Sequence, residues 1–452
     1  MTIVSILLGL LGLGIVVFFH ELGHFAAARL VGVEVEEFSI GWGPKLTGFT
    51  HGTTRYRLSV FPIGGFCRMK GEDSYRKAIE QNLEEFPRDP GSYFTAHPLK
   101  RIAIALGGPA LNVVFAFVVF AMIGGFGYSV KSWGNRVVLA SDYEGGSYAA
   151  DAAGLRTGDA IVSIDGREVR SFSDIQESFA LSAGRQLNLV LDRNGQNVQT
   201  AVIPLMDKET GAGKVGVYPW IDPVVDSVSE NGPARLAGIV AGDVITSVDG
   251  QPIRHIVDLM RYLETGNPER PVFAYSRSGE PAEAMLVLSY DATGSTDPGL
   301  SWKQTSVHIQ SAGLFGAIAD GFHETIKTIG ATYRGLASLF MGVDALKAVS
   351  GPARITWIVG QVASESFATG MGSGLSVSFN FLAILSIGLF AMNLLPIPLL
   401  DGGWILLFLI EALRGKAAKV KTVLRYQTIG VVVVAGLFLF ATLGDILFFS
   451  GR

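Results

Sequence analysis

His20-Glu21-Leu22-Gly23-His24 closes the first apolar run of the chain. Residues four apart share one face of a helix, so both imidazoles can reach a single metal ion, with the Glu21 carboxylate beside them to handle a proton. Only seven histidines occur in the chain, and Met1 to His20 contains no Asp, Glu, Lys or Arg. Two histidines and a glutamate are costly at membrane depth, and such a cost points to a function. The plain alternative is a pair of interfacial histidines facing lipid headgroups.

Working outward, the 452 residues carry only 17% charged side chains and a mean hydropathy of +0.38, which is too apolar for an ordinary soluble protein. The excess is concentrated in charge-free runs: Met1 to His20, Ile102 to Val130, Met371 to Leu400 and Tyr426 to Gly444. Each is long enough to cross, or nearly cross, a hydrocarbon layer about 30 Å thick. Four spans are therefore expected, at 1–30, 101–130, 371–413 and 426–449. The first run is an alternative candidate for a cleaved signal peptide, but it lacks a basic start, and cleavage at Ala26-Ala27-Ala28 would discard the metal motif. Cys67 is the single cysteine, which excludes disulfides within the chain and a cysteine-ligated zinc site. A net charge of -4 without a basic tract speaks against nucleic acid as a partner.

Residues 31–100 follow the motif. Val33-Glu34-Val35-Glu36 and Tyr56-Arg57-Leu58-Ser59-Val60 alternate, and Gly41, Gly43, Gly64 and Gly65 punctuate them, so β-hairpins are expected. A strand edge beside the site can pair with an extended substrate backbone. Glu72 to Lys100 reads as a solvated loop with one short helix. In the second span, Gly107-Gly108-Pro109 and Asn112 are assigned to helix packing.

Between 135 and 310 the chain turns polar and repeats itself. Gly154-Leu155-Arg156-Thr157-Gly158-Asp159-Ala160-Ile161-Val162-Ser163-Ile164-Asp165-Gly166 returns as Gly238-Ile239-Val240-Ala241-Gly242-Asp243-Val244-Ile245-Thr246-Ser247-Val248-Asp249-Gly250. Two copies of one small α/β domain are expected, at 135–220 and 221–310. The Gly-Asp corner, alternating strand, Asp-Gly turn and amphipathic stretch resemble the bacterial PDZ domain, which binds peptides by strand addition. The second copy has Asn231-Gly232-Pro233-Ala234 before its corner, where the first has Gly145-Gly146-Ser147. Residues 311–370 read as helices outside or along the membrane.

Near the far end, Asn393-Leu394-Leu395-Pro396-Ile397-Pro398-Leu399-Leu400-Asp401-Gly402-Gly403 places two prolines and a carboxylate inside an apolar stretch. The prolines remove helix hydrogen bonds, so the third span is expected to be broken, and irregular backbone at that depth survives only where it lines a cavity. Catalytic zinc takes three protein ligands and keeps one position for water. His20 and His24 supply two, Asp401 is the natural third, and Glu21 is the candidate general base. Asn393 is a candidate for holding substrate backbone, or equally for a bond inside the broken helix. Arg414, Lys416, Lys419, Lys421 and Arg425 after the third span place that connection in the cytoplasm, the metal site toward the cytoplasmic half and the repeats outside.

The motif at His20 to His24, Asn393 to Gly402, four spans and the two PDZ-like copies together resemble the site-2 protease family, of the bacterial regulator of sigma-E protease type. That resemblance covers nearly the whole chain. It implies a polytopic α-helical membrane protein of the bacterial inner membrane, with a membrane-associated β-hairpin and two inserted PDZ-like domains on the periplasmic side. It implies a zinc endopeptidase cleaving single-pass membrane proteins already trimmed outside, such as an anti-sigma factor, and sometimes remnant signal peptides. By the same resemblance Gly41 and Gly43 belong to a membrane-re-entrant hairpin near substrate, and the PDZ pair filters substrates by size; Pro396, in the same stretch as Asn393, is a further candidate for binding substrate. The rival from another class is a PDZ-containing membrane scaffold with a non-catalytic metal site.

Overall fold

The computed structural model describes residues 3–81, 83–84, 89–291, 295–311, 313–368 and 371–450. The chain forms two units, residues 1–128 with 309–452, and residues 129–308.

Among the described residues of the first unit, four helices are long and apolar enough to cross a membrane: Val4–Val31, Pro98–Phe126, Gly374–Asn393 and Val420–Ser450. The second begins with Pro98 in its first turn, where a missing N–H costs nothing, and the His97 ring accepts from the Leu99 N–H. It ends at Phe126, short of Val130, because Gly127 turns at φ 76° and Tyr128–Ser132 is a strand. The first two helices touch backbone to backbone. A Cβ built on Gly107 would lie 2.5 Å from the Gly23 carbonyl oxygen and 2.7 Å from Ala27 Cβ, so glycine is required on both sides of this crossing.

Val16, Phe115, Ala116, Val119, Phe120, Leu382, Ala383 and Ile387 form the core between the first three of these helices. Ile329, from the helix Gly313–Ser338, packs against it. Nearer the start of that helix, Gly321 lies against Ala121. The helix Pro352–Ala368 meets the N-terminal helix where Gly9 faces Thr356 and Gly360 faces Ser5.

The third span is interrupted. One helix runs Met371–Asn393 and a second Asp401–Arg414, with an irregular loop between them carrying Pro396, Pro398 and Leu399, the last at φ 82°. The loop closes over the start of the second helix. A Cβ at Gly402 would collide with the Leu394 carbonyl and one at Gly403 with the Ile397 carbonyl, while Tyr426 Oη donates to the Gly403 oxygen over 2.8 Å. Arg101 and Glu411, both buried, form an ion pair that fixes the second helix against Pro98–Phe126. Glu411 also accepts the Ala418 N–H.

Residues Val35–His51 and Thr54–Met69 form one long antiparallel hairpin with repeated register shifts. Its base packs Val35, Phe38 and Met69 inward, whereas Trp42, Leu46, Phe49 and Phe61 are exposed. Gly41 and Gly43 have φ of 84° and 93°, a left-handed conformation that glycine adopts without strain, and the Phe61 backbone and ring occupy the space where their Cβ atoms would be.

The second unit holds two modules of one strand order. Arg167–Glu168, Ala160–Ile164, Leu187–Arg193 and Gln196–Val202 make the first sheet, and Gln251–Pro252, Val244–Val248, Val272–Arg277 and Glu280–Met285 the second. Each sheet is covered by a helix, Phe172–Ala180 burying Phe172, Ile175 and Phe179, and Ile256–Gly266 burying Ile256, Leu259 and Leu263. The repeated Gly-Asp corner has one job in both. Asp159 accepts from Arg193 Nε at 2.8 Å and Nη2 at 2.7 Å, and Asp243 accepts from Arg277 at the same two distances. The guanidinium bonds hold the Asp243 carboxyl below the usual carboxylate range.

Candidate metal centre

The N-terminal helix places His20 and His24 on the face toward Pro98–Phe126, and the first residue of the helix Asp401–Arg414 brings its carboxylate to them. His20 Nε2 lies 3.2 Å from His24 Nε2 and 3.2 Å from Asp401 Oδ2, and His24 Nε2 lies 3.5 Å from Asp401 Oδ1. Both histidines are buried. The His24 tautomer follows from its surroundings: Nδ1 is 2.8 Å from the Ile104 carbonyl oxygen, which can only accept, so Nδ1 carries the proton and the Nε2 lone pair faces the cluster.

These residues fit a zinc ion. Tetrahedral bonds of about 2.0–2.1 Å set ligand atoms roughly 3.3 Å apart; the two imidazole nitrogens stand 3.2 Å apart, with one Asp401 oxygen 3.2 Å from His20 and the other 3.5 Å from His24. Asp401 Oδ2 is buried and makes no hydrogen bond despite its approach to His20. A buried carboxylate oxygen without a hydrogen bond, beside two imidazole nitrogens, is a donor set suited to a cation.

Glu21 follows His20 and stands beside the hairpin, its Cγ 3.4 Å from where a Cβ on Gly65 would sit. Its carboxylate has no hydrogen bond or ion pair with another described residue, which leaves it available for proton transfer. Asn393, the last residue of its helix, brings Nδ2 to 3.4 Å from His20 Nε2. Pro396 lies in the loop that joins Asn393 to Asp401. A Cβ on Gly41 or Gly43 would meet Phe61, whereas Gly65 is the hairpin glycine beside Glu21.

Two residues assigned to helix packing in the sequence also line the centre. A Cβ on Gly108 would sit 2.7 Å from His24 Cε1 and 2.8 Å from His20 Cε1, and closer still to His24 Nε2. Asn112, fully buried, places Nδ2 3.1 Å from His20 Nδ1. Both lie on one helix face, four residues apart, which was a usable signal once that face was known to meet the histidines.

The profile of peptidase family M50 matches residues 8–437. Among curated relatives, a protein of Treponema pallidum named as a zinc metalloprotease is 38% identical over 98% of this chain and 99% of its own length. One of Borreliella burgdorferi bearing the same description is 33% identical over 96% of both chains. Among solved structures, the PDZ domain of an SdrC-like protein from Listeria innocua is 28% identical, covering 19% of this chain and 96% of that domain, with a TM-score of 0.17. The match over nearly the full length, together with the converging His20, His24 and Asp401, leads to one assignment: the chain belongs to peptidase family M50, the site-2 protease family of zinc metalloproteases.

Proposed function

We propose that the chain is an intramembrane zinc endopeptidase that cuts the membrane-spanning segment of single-pass proteins, in which His20, His24 and Asp401 hold Zn2+ and Glu21 is the general base. The observation that supports this reading most is the convergence of two imidazoles and a carboxylate in a unit whose described residues include four helices long and apolar enough to cross a membrane. When bound, zinc supplies a Lewis acid that makes water nucleophilic near pH 7. Glu21 takes the proton of the attacking water on its carboxylate and passes it to the leaving amide nitrogen. Asn393 and the Pro396 loop hold the substrate backbone beside the ligands.

A helical substrate keeps its peptide groups hydrogen-bonded and shielded, so it has to be extended locally before attack. The hairpin containing Gly41 and Gly43 offers a strand edge for that purpose. Substrates already trimmed on the outer side, of the anti-sigma-factor kind, fit a filter made of the two repeated modules acting as PDZ domains. The basic residues from Arg414 to Arg425 favour a bacterial inner membrane topology with the metal centre toward the cytoplasm and the modules periplasmic.

The test is a cleavage assay on a single-pass substrate with purified protein, paired with metal analysis. The wild-type chain cleaves and carries zinc, while Glu21→Gln keeps the zinc and loses cleavage. Full activity in that variant removes Glu21 from the mechanism.

A further inference from the structure

A histidine that binds metal through Nε2 carries its proton on Nδ1, and what that proton meets sets the ring's orientation. For His24 the partner is the Ile104 carbonyl. For His20 it is the side-chain amide of Asn112, eight residues further along the same helix, at 3.1 Å. Asn112 is 0% exposed, and the ring is the amide's only partner among the described residues, since Oδ1 has none. A leucine would fill such a place without burying a polar group that has to be satisfied, so packing alone does not account for an asparagine here. Its backbone oxygen accepts from Ser386 Oγ at 3.1 Å, which ties this point of the helix to Met371–Asn393.

The amide as placed turns Nδ2 toward Nδ1, which needs the His20 proton on Nε2, aimed into the cluster of donor atoms. A half-turn of the amide exchanges its oxygen and nitrogen in the same space. Oδ1 then accepts from Nδ1–H, and the Nε2 lone pair is released to the metal. We infer that Asn112 is the positioning residue of His20: its amide oxygen fixes the ring's tautomer and rotation and so tightens zinc binding. This rests on the ligand set proposed above, and it concerns a residue that contacts neither the attacked bond nor the metal.

The test uses full-length protein in detergent, stripped of metal and titrated with zinc against a chromophoric chelator, with unfolding of the metal-free form measured alongside. Asn112→Leu weakens zinc binding by about 10- to 100-fold, the range for loss of a ligand's outer partner, while the metal-free protein unfolds as the wild type does. Asn112→Asp, whose carboxylate only accepts, restores the affinity. The cobalt-substituted Asn112→Leu protein shows an altered visible absorption spectrum, which a packing role would leave unchanged. Wild-type affinity in Asn112→Leu, or an equal loss in Asn112→Asp, overturns the inference. His20→Ala separates the two levels: if it also binds zinc normally, the ligand set is wrong; if it alone loses zinc, only the role of Asn112 is wrong.

Discussion

Gly108→Ala adds one methyl group to the helix Pro98–Phe126 and places it in the metal centre. The new Cβ would lie 2.8 Å from His20 Cε1 and 2.7 Å from His24 Cε1, where ordinary contact begins near 3.4 Å. Each ring must therefore retreat by at least about 0.6 Å, three times the roughly 0.2 Å tolerance of a metal–ligand bond. Neither ring retreats freely, because Nδ1 of each is tied to the very helix that carries the methyl, at Asn112 and Ile104. A loss of zinc affinity on the order of 100-fold follows, about 2.8 kcal/mol. Helix propensity runs the other way, alanine being favoured over glycine by about 1 kcal/mol in a helix interior, so the metal-free fold is not weakened by the backbone. Chelator competition and a cleavage assay read the two effects, with Gly388→Ala as control, since nothing lies within 4 Å of that position's Cβ. Tight zinc binding and full cleavage by Gly108→Ala would refute the placement of the two imidazoles against this helix.

Three further outcomes are expected. Arg101→Met leaves Glu411 buried without its partner and destabilises the protein by about 3–5 kcal/mol, whereas the double variant Arg101→Met with Glu411→Leu recovers most of that in thermal unfolding. Asp243 is held below its ordinary pKa by Arg277, so its contribution is complete above the unfolded value of about 3.9 and is lost as pH falls through the folded value. The protection of the Val244–Val248 amides, taken relative to the intrinsic exchange rate at each pH, accordingly falls with acidification below about pH 4, and Asp243→Asn blunts that fall while weakening the module at neutral pH. Removing residues 135–290 leaves peptide-bond cleavage intact and broadens the set of membrane substrates cut; loss of all activity would show that the modules do more than select.

Much of the site was legible because its polar residues stand where polarity is expensive. His20, Glu21 and His24 end a charge-free run, Asp401 interrupts another, and the structure brings the three donor side chains within 4.8 Å of one another. The break between Asn393 and Asp401 was legible from Pro396 and Pro398, which cannot complete a helix ladder. The repeat was visible as matched residues, and its corner aspartates turn out to share one arginine geometry. Gly108 and Asn112 escaped because their importance depends on which helix lies opposite, a long-range fact that periodicity does not carry. Glu411 is buried against Arg101, 310 residues away in sequence, a pairing that no local pattern carries. The hairpin glycines Gly41 and Gly43 were assigned to substrate, while their positive φ and the packing of Phe61 give them a backbone reason of their own.

The central claim, that one zinc ion is gripped by His20, His24 and Asp401, is tested most directly by zinc X-ray absorption on the purified protein and its Asp401→Ala variant. The account predicts one zinc per chain in a shell of nitrogen and oxygen at about 2.0–2.1 Å with two imidazoles, and a depleted or reorganised shell once Asp401 is gone. An identical spectrum and metal content in the two proteins would contradict it.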